Sequence, residues 1–481
     1  MTFKEYKGLN LVSVGNEVLD RWKRNHAFEK SLELREGAPE FIFFEGPPSA
    51  NGMPGIHHVM ARSIKDAICR YKTQTGYKVN RRAGWDTHGL PVEIGVEKKL
   101  GIHKKISVAE YNDTCRHEVM KYTREWVNMT ERVGYWVDMN DPYITYDNRY
   151  IETLWYLLKK IYDKGLLYKG FSIQPYSPSD GTGLSSHELN QPGCYKDVTD
   201  TTATVQFEVI KDAKSQPLFG LETLPVYFLA WTTTPWTLPS NTALCVGPDI
   251  EYVRVKSFNP YTGAEAIYVV AKLLVSEWFS PKAAELQLED YKPGDKLIPF
   301  KVLDGTFKGS DLVGIRYHQL IPWFKPLEGD AFRVIPGDYV STDEGTTGIV
   351  HIAPTFGADD KKVAAAAGIP PMMVLDKNGN PQPQVDHDGR FCLLEDLDPE
   401  YVATHVAPEY KEYAGRFVKN AFDDSLPKDA PTLDIDLCMM MKMDGRAFKI
   451  QKHVHSYPHS WRTDKPVLYY PLDAWFIKTT A

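Results

Sequence analysis

Two hydrophobic periods divide this chain, and no single element can satisfy both. Up to about residue 165, short apolar runs alternate with stretches whose apolar residues recur every three or four positions. Phe41, Ile42, Phe43 and Phe44 read as a buried strand. The following stretch, with Met60, Ile64, Ala67 and Tyr71 on one face, predicts a helix to about Thr75 with Gly76 as its stop. Residues 77–79 suggest a short strand. Ser107 and Glu110 form a capping box. It opens a helix predicted to carry Cys115, Val119, Tyr122, Trp126, Met129 and Val133 as far as Gly134. A further helix starts near Asn148, with Ile151, Leu154, Leu158 and Ile161 turned inward and Gly165 at its end. Such alternation predicts a parallel, doubly wound sheet with ligands at the carboxyl ends of its strands.

From about Thr201 to Phe356 the period shortens to two. Runs rich in Thr, Val and Tyr, such as residues 204–209 and 252–255, are separated by turn signals at Asn259-Pro260 and at residues 292–295. A β-rich region is expected there, with an alanine-rich helix over residues 359–368 inside it. Near Pro427 the pattern becomes mixed again, and residues 467–470 are strand-like. The expected organisation is therefore residues 1–192, a β-rich insertion over 193–427, and a return segment over 428–481.

Residues 43–62, FFEGPPSANGMPGIHHVMAR, run from the first apolar strand through a Gly/Pro loop into a helix that begins with His57 and His58. Free backbone N–H groups and the helix dipole make such a place suited to an anion, above all phosphate. No GxxxxGK[ST] is present, so this is not a Walker loop. The six cysteines are scattered without a CxxC, which argues against a disulfide framework and for a reducing compartment. No apolar run is long enough to span a membrane, and the first residues carry no signal core. A cytoplasmic protein is expected. The net charge of −7 excludes a generally basic coat. A nucleic-acid partner would need local patches such as Lys78, Arg81 and Arg82, which also fit a solvated face.

GPPSANG, the paired histidines and GWDTHGLPVE at residues 84–93 together resemble the nucleotide-binding half of class I aminoacyl-tRNA synthetases of the isoleucyl kind. WTTTPWTLPSN at 231–241 and GTTGIVHIAPTFGADD at 345–360 are similar to that family's editing segments. Valyl and leucyl relatives share the layout but carry Arg-Pro where this chain has Thr234-Pro235. The resemblance implies an α/β fold: an incomplete Rossmann-like parallel sheet interrupted by a β-rich editing insertion. It implies isoleucine, ATP with Mg²⁺, and tRNA(Ile) as partners, and a monomer.

Residue by residue, the resemblance gives His58 a phosphate contact beside Asn51 and Gly55. It gives Asp86 the α-ammonium of the amino acid, and Gly46 and Pro47 the wall against its side chain. The family's usual His-x-Gly-His is altered here to Gly55-Ile56-His57-His58. The expectation is that Gly55 absorbs an altered backbone while His57 turns away from the nucleotide. His88 reads as a satisfied core histidine.

Isoleucine and valine differ by one methylene, a difference that binding alone discriminates weakly; isoleucyl-tRNA synthetase is itself the standard illustration of that limit. A second, hydrolytic site is implied, with Thr232, Thr233, Thr234 and Asn241 around the terminal ribose and a water. Asp360 would take the misattached amino acid's ammonium, and His351 would narrow the pocket. Some relatives carry cysteine pairs where this chain reads YSPSDG and HSWRT, so no structural zinc is expected. The family's Lys-Met-Ser-Lys-Ser loop does not occur in these 481 residues. An N-terminal fragment deficient in synthesis is therefore expected. An editing-only deacylase and a non-catalytic RNA-binding module are the alternatives, and the two nucleotide-site motifs weigh against the first of these.

Overall fold

A computed structural model of the chain describes residues 8–44, 46–101, 106–427 and 430–480. The chain forms two compact units, Met1–Tyr168 with Ile477–Ala481, and Lys169–Phe476. The expected boundaries at 193 and 427 fall inside the second.

In the first unit, helices α1 (Leu11–Arg24), α2 (Ala27–Glu33) and α3 (Ile56–Gln74) precede strand β1 (Arg82–Trp85). Helices α4 (Leu90–Leu100), α5 (Val108–Val119) and α6 (Thr123–Arg132), strand β2 (Asp138–Ile144) and helix α7 (Asn148–Asp163) follow. β1 and β2 pair in parallel, the orientation expected of βα alternation. Ala50, Trp85 and Trp126 form the buried centre of this unit.

Several local expectations need correction. Residues 41–44 do not form a strand: an isolated parallel bridge joins Glu40 to Lys78, and Phe41 N–H donates to Lys78 O at 2.9 Å. Phe41 and Phe43 are only half-buried, and Ile42 and Phe44 are exposed, Phe44 by 91%, so the run is not covered on both faces as a buried strand would be. The single helix expected from 107 to 134 is two. Tyr122 N–H donates to Ala50 O, at 3.0 Å, instead of to the carbonyl one turn back, and that diversion breaks the helix. The face of α3 bearing Met60, Ile64 and Tyr71 is exposed; its buried residues are Arg62, Cys69 and Thr73. α7 has no fully buried residue, although Ile151, Leu158 and Ile161 are half-covered.

The second unit is β-rich. Six strands lie in the order β10 (Lys301–Lys308), β8 (Glu251–Phe258), β9 (Glu265–Ala271), β6 (Val226–Thr232), β5 (Tyr195–Glu208) and β13 (Ala447–Pro458). β6 and β9 are parallel, and the other neighbours are antiparallel. A second sheet sets β7 (Ala243–Val246) between β11 (Arg333–Pro336) and β12 (Ile349–Ile352). A third joins β14 (Leu468–Ile477), β3 (Leu167–Ser177) and β4 (Thr182–Gly183). Helices α8 (Ala358–Ala366) and α9 (Leu433–Met443) complete the frame. Period-two alternation is blurred here because many strands are covered on both faces: residues 201–207 of β5 are all buried.

β1 depends on a missing side chain. A Cβ placed on Gly84 would sit 2.3 Å from the ring of Tyr143 on the paired strand. Gly84→Ala is therefore expected to destabilise this unit by about 1–3 kcal/mol. Gly84→Ala with Tyr143→Leu should recover part of that loss; thermal unfolding of the three proteins measures it.

Candidate functional sites

The GPPSANG loop is pinned from three directions. Asp86 N–H donates to Pro48 O at 2.9 Å, Tyr122 N–H to Ala50 O at 3.0 Å, and the Trp126 indole to Gly52 O at 2.9 Å. Loop, helix start and α6 enclose a cavity of about 350 Å³ lined by Gly46, Asn51, His58, Arg62, Lys65 and Trp126, among others. Pro47 faces a separate small cavity beside Gly84 and Tyr143. Tyr122 and Trp126, read from their spacing as core, hold this loop; periodicity carries no signal for that.

His58 has two jobs at the start of α3. Its Nδ1 accepts from Gly55 N–H at 2.8 Å, which caps the helix. The neutral ring therefore keeps its proton on Nε2 as a donor. Burial lowers its pKa, with His57, Arg62 and Lys65 adding to the effect, so the neutral form is favoured. His57 is exposed and packs on His58, with ring centroids 3.8 Å apart, and does not line the cavity. Gly55 has an ordinary extended backbone, φ −102° and ψ 174°, so it absorbs no unusual conformation. What it supplies is room: a Cβ there would meet the His57 ring at 2.8 Å.

Asp86 is half-buried and makes a turn, its Oδ1 accepting from His88 N–H at 3.3 Å. It is not among the residues lining the 350 Å³ cavity. His88 is exposed rather than core, although its Nδ1 lies 2.9 Å from Thr145 Oγ1. The suggested basic patch is spent internally. Lys78 pairs with Glu36 and Arg82 with Asp141, while Arg81 is buried and donates to Thr73 Oγ1 at 2.8 Å.

In the second unit, segments far apart in sequence meet at a cavity of about 360 Å³. Thr232, Thr233 and Thr234 leave β6, His351 comes from β12 and Asp360 from α8; Trp231, Thr237 and Tyr339 add to the lining. Thr234 N–H donates to Thr232 Oγ1 at 3.1 Å, which turns the chain into a 3₁₀ helix, Pro235–Ser240. Asn241 does not line the cavity. It is buried, accepts from Tyr317 O–H at 2.7 Å, and its amide nitrogen donates to Ala243 O at 2.8 Å and lies 3.3 Å from His351 Nδ1.

His351 is held on both sides. Thr237 O–H donates to Thr234 O at 2.8 Å, so Thr237 Oγ1 accepts from His351 Nε2, 3.0 Å away. His351 Nδ1 then accepts from Asn241. Burial pushes its pKa down to about 4. The ring is a neutral, fully engaged wall with no lone pair left to act as a base. Asp360 Oδ2 accepts from Ala353 N–H at 2.8 Å, and burial raises its pKa to about 6. A side chain on Gly357 would collide with that carboxylate at 2.6 Å. Thr237 was missed in the sequence, though its step of three from Thr234 is a 3₁₀ repeat.

Among the described residues, no group of three or more His, Cys, Asp or Glu side chains is placed to hold a metal, and the cysteines form no disulfide. In YSPSDG and HSWRT, Asp180 accepts from Ser460 Oγ at 2.5 Å, and Arg462 pairs with Glu188. No described helix is long and apolar enough to cross a membrane.

Two predictions follow from these geometries. Gly55→Ala should cost at most about 1 kcal/mol, since the exposed His57 ring can swing clear of the new methyl, and His57→Gly should abolish the part due to that contact in a double-mutant cycle. The raised pKa of Asp360 means that the folded chain holds its proton more tightly than the unfolded chain does. Its contribution therefore falls as pH rises from about 4 to about 6, and the full penalty stands above that. Asp360→Asn should stabilise the protein by about 3 kcal/mol at pH 7.5 and by almost nothing at pH 3, read from unfolding curves.

The family profile described as tRNA synthetases class I (I, L, M and V) matches residues 17–481. The isoleucine–tRNA ligase of Bacteroides fragilis is 64% identical over 485 residues, covering 100% of this chain and 42% of that protein. That of Porphyromonas gingivalis is 60% identical over 486 residues, with the same coverages of 100% and 42%. The solved editing domain of the P. knowlesi cytosolic leucyl-tRNA synthetase aligns with 34% of this chain and 60% of its own at 16% identity and a TM-score of 0.26, too low to bear on the fold. The chain spans about 42% of the length of the two curated relatives. With nearly its whole length matched, the chain belongs to the class I tRNA synthetases of the I, L, M and V group.

Proposed function

We propose that this chain carries the amino-acid activation pocket and the proofreading pocket of an isoleucine–tRNA ligase, acting on isoleucine, ATP and tRNA(Ile) as a cytoplasmic monomer. What supports the proofreading half most is that Thr232, Thr233, Thr234, His351 and Asp360, drawn from three separated segments, line one 360 Å³ cavity. Its lining residues fall within 193–427, the proposed editing insertion, while Asp434 and the strand Ala447–Pro458 support it from outside that range.

In that cavity Asp360 takes the α-ammonium of a misattached valine in a charge-assisted contact. The Thr232–Thr234 hydroxyls and backbone hold the terminal ribose and a water. The water attacks the ester carbonyl, and the tetrahedral intermediate releases the ribose oxygen, leaving free valine and free tRNA. His351 is the wall that sets side-chain size, consistent with a ring whose two nitrogens are already engaged. In the other pocket, His58 Nε2–H and the amide groups at the start of α3 face the ATP phosphates beside Asn51 and Gly55, with Gly46 in the wall against the isoleucine side chain. Asp86 and Pro47, which lie outside that cavity's lining, are assigned the isoleucine ammonium and side chain by the family resemblance alone. Magnesium arrives with ATP and neutralises phosphate charge.

The assay is hydrolysis of Val-tRNA(Ile). Asp360→Ala should lower kcat/KM by roughly 10–100-fold, the worth of a charge-assisted hydrogen bond. The parent KM should fall as pH rises through about 6, where Asp360 ionises, and Asp360→Asn should flatten that profile. Equal rates and equal pH profiles for parent and variants would remove Asp360 from the reaction.

A further inference from the structure

Outside the lining of the proofreading cavity lies a charged cluster centred on one buried carboxylate. Asp434, in the first turn of α9, is 2% exposed. Its Oδ1 accepts from Trp236 N–H at 2.9 Å across 198 residues of sequence. Trp236 is in the first turn of the 3₁₀ helix, where backbone N–H groups have no partner inside the helix. Asp434 Oδ2 lies 3.6 Å from Lys419 Nζ, which is also 2.9 Å from Asp200 on β5. Asp200 in turn is 3.1 Å from His455 Nε2 on β13. A buried carboxylate without a cation would be costly, and Lys419 supplies that cation.

The held N–H sits between Thr234 and Thr237. Thr234 lines the cavity, and Thr237 bonds both Thr234 O and the His351 ring. Fixing Trp236 N therefore fixes the threonine segment and, through Thr237, the ring that sets pocket width. We propose that Asp434 is a positioning residue of the proofreading pocket, holding Thr232–Thr237 and the His351 wall through the Trp236 backbone. The proposal rests on the deacylase reading above. It deepens that reading by assigning the valine–isoleucine boundary to a side chain outside the cavity.

The test compares the parent chain with Asp434→Ala and Asp434→Asn. Asn keeps an oxygen acceptor for Trp236 N–H; Ala does not. Asp434→Ala is expected to slow hydrolysis of Val-tRNA(Ile) at least 10-fold and to reduce the Val-to-Ile hydrolysis ratio at least 5-fold. Asp434→Asn should restore both to within about 3-fold of the parent. Hydrogen exchange of a peptide spanning residues 232–241 should be at least 10-fold faster in the Ala variant and near the parent rate in the Asn variant. If Asp434→Ala does not fold, Asp434→Ser, too short to reach Trp236, takes its place. An Ala or Ser variant with parent-like rate and parent-like Val-to-Ile ratio overturns the proposal while leaving the deacylase reading intact. Slower hydrolysis with unchanged exchange at 232–241 also overturns it. A parent chain that hydrolyses neither ester sinks the deacylase reading, and the proposal with it.

Discussion

The larger unit hangs on one pairing between segments far apart in sequence. β5, Tyr195–Glu208, runs antiparallel to β13, Ala447–Pro458, from Tyr195 opposite Pro458 to Val205 opposite Ala447. Closing so long an excursion carries an entropic cost, though one that grows only slowly with loop length. The ladder offsets it together with a polar clasp: Lys419 bridges Asp200 on β5 and Asp434 on α9, and His455 on β13 meets the same Asp200. Burial opposes the charge on Lys419, but Asp434 and Asp200 outweigh it and hold its pKa above the ordinary value. Burial pushes Asp434 up to about 6, with Lys419 pulling the other way. One cluster thus ties the sheet edge, the helix behind it and the turn that carries the cavity threonines.

Function draws on this frame by spending stability locally. His351 is kept neutral and saturated with hydrogen bonds, the state suited to a steric wall. Asp360 is kept desolvated yet anchored by one backbone N–H, a state that favours meeting a cation. The two groups move in opposite directions from the same cause, burial, because the charged form is the cationic one for imidazole and the anionic one for carboxyl. In the smaller unit, His58 is likewise held neutral by a half-buried helix start, with its remaining proton as a donor.

Local sequence was a good guide wherever the signal was itself local. Gly76 closes α3, the Ser107 hydroxyl accepts from Glu110 N–H at 3.2 Å, and the Asn259 carboxamide receives the N–H groups of Tyr261 and Thr262. The change of period separated an α/β beginning from a β-rich remainder, and the editing motifs named five residues that line one cavity. Reading failed where a distant partner intervened. Residues 107–134 have an unbroken helical period, but a loop carbonyl takes the Tyr122 amide and splits the helix. Residues 41–44 look like a core strand, yet Phe44 is 91% exposed because no ladder covers it.

What the sequence determined by itself was composition of parts: a Gly/Pro loop feeding a helix with histidines at its start, threonines before a Pro-Trp turn, an aspartate opening an alanine-rich helix. Each follows from short-range sterics and hydrogen bonding, which neighbours along the chain settle between themselves. Only the tertiary structure decided which of these parts face a common space and in what protonation state. Asn241 reads as one more site residue but is turned inward to brace His351. Asp434 carries no motif, yet it fixes Trp236 from 198 residues away. Desolvation and long-range hydrogen bonds depend on what surrounds a group in three dimensions, and no window of sequence contains that surrounding.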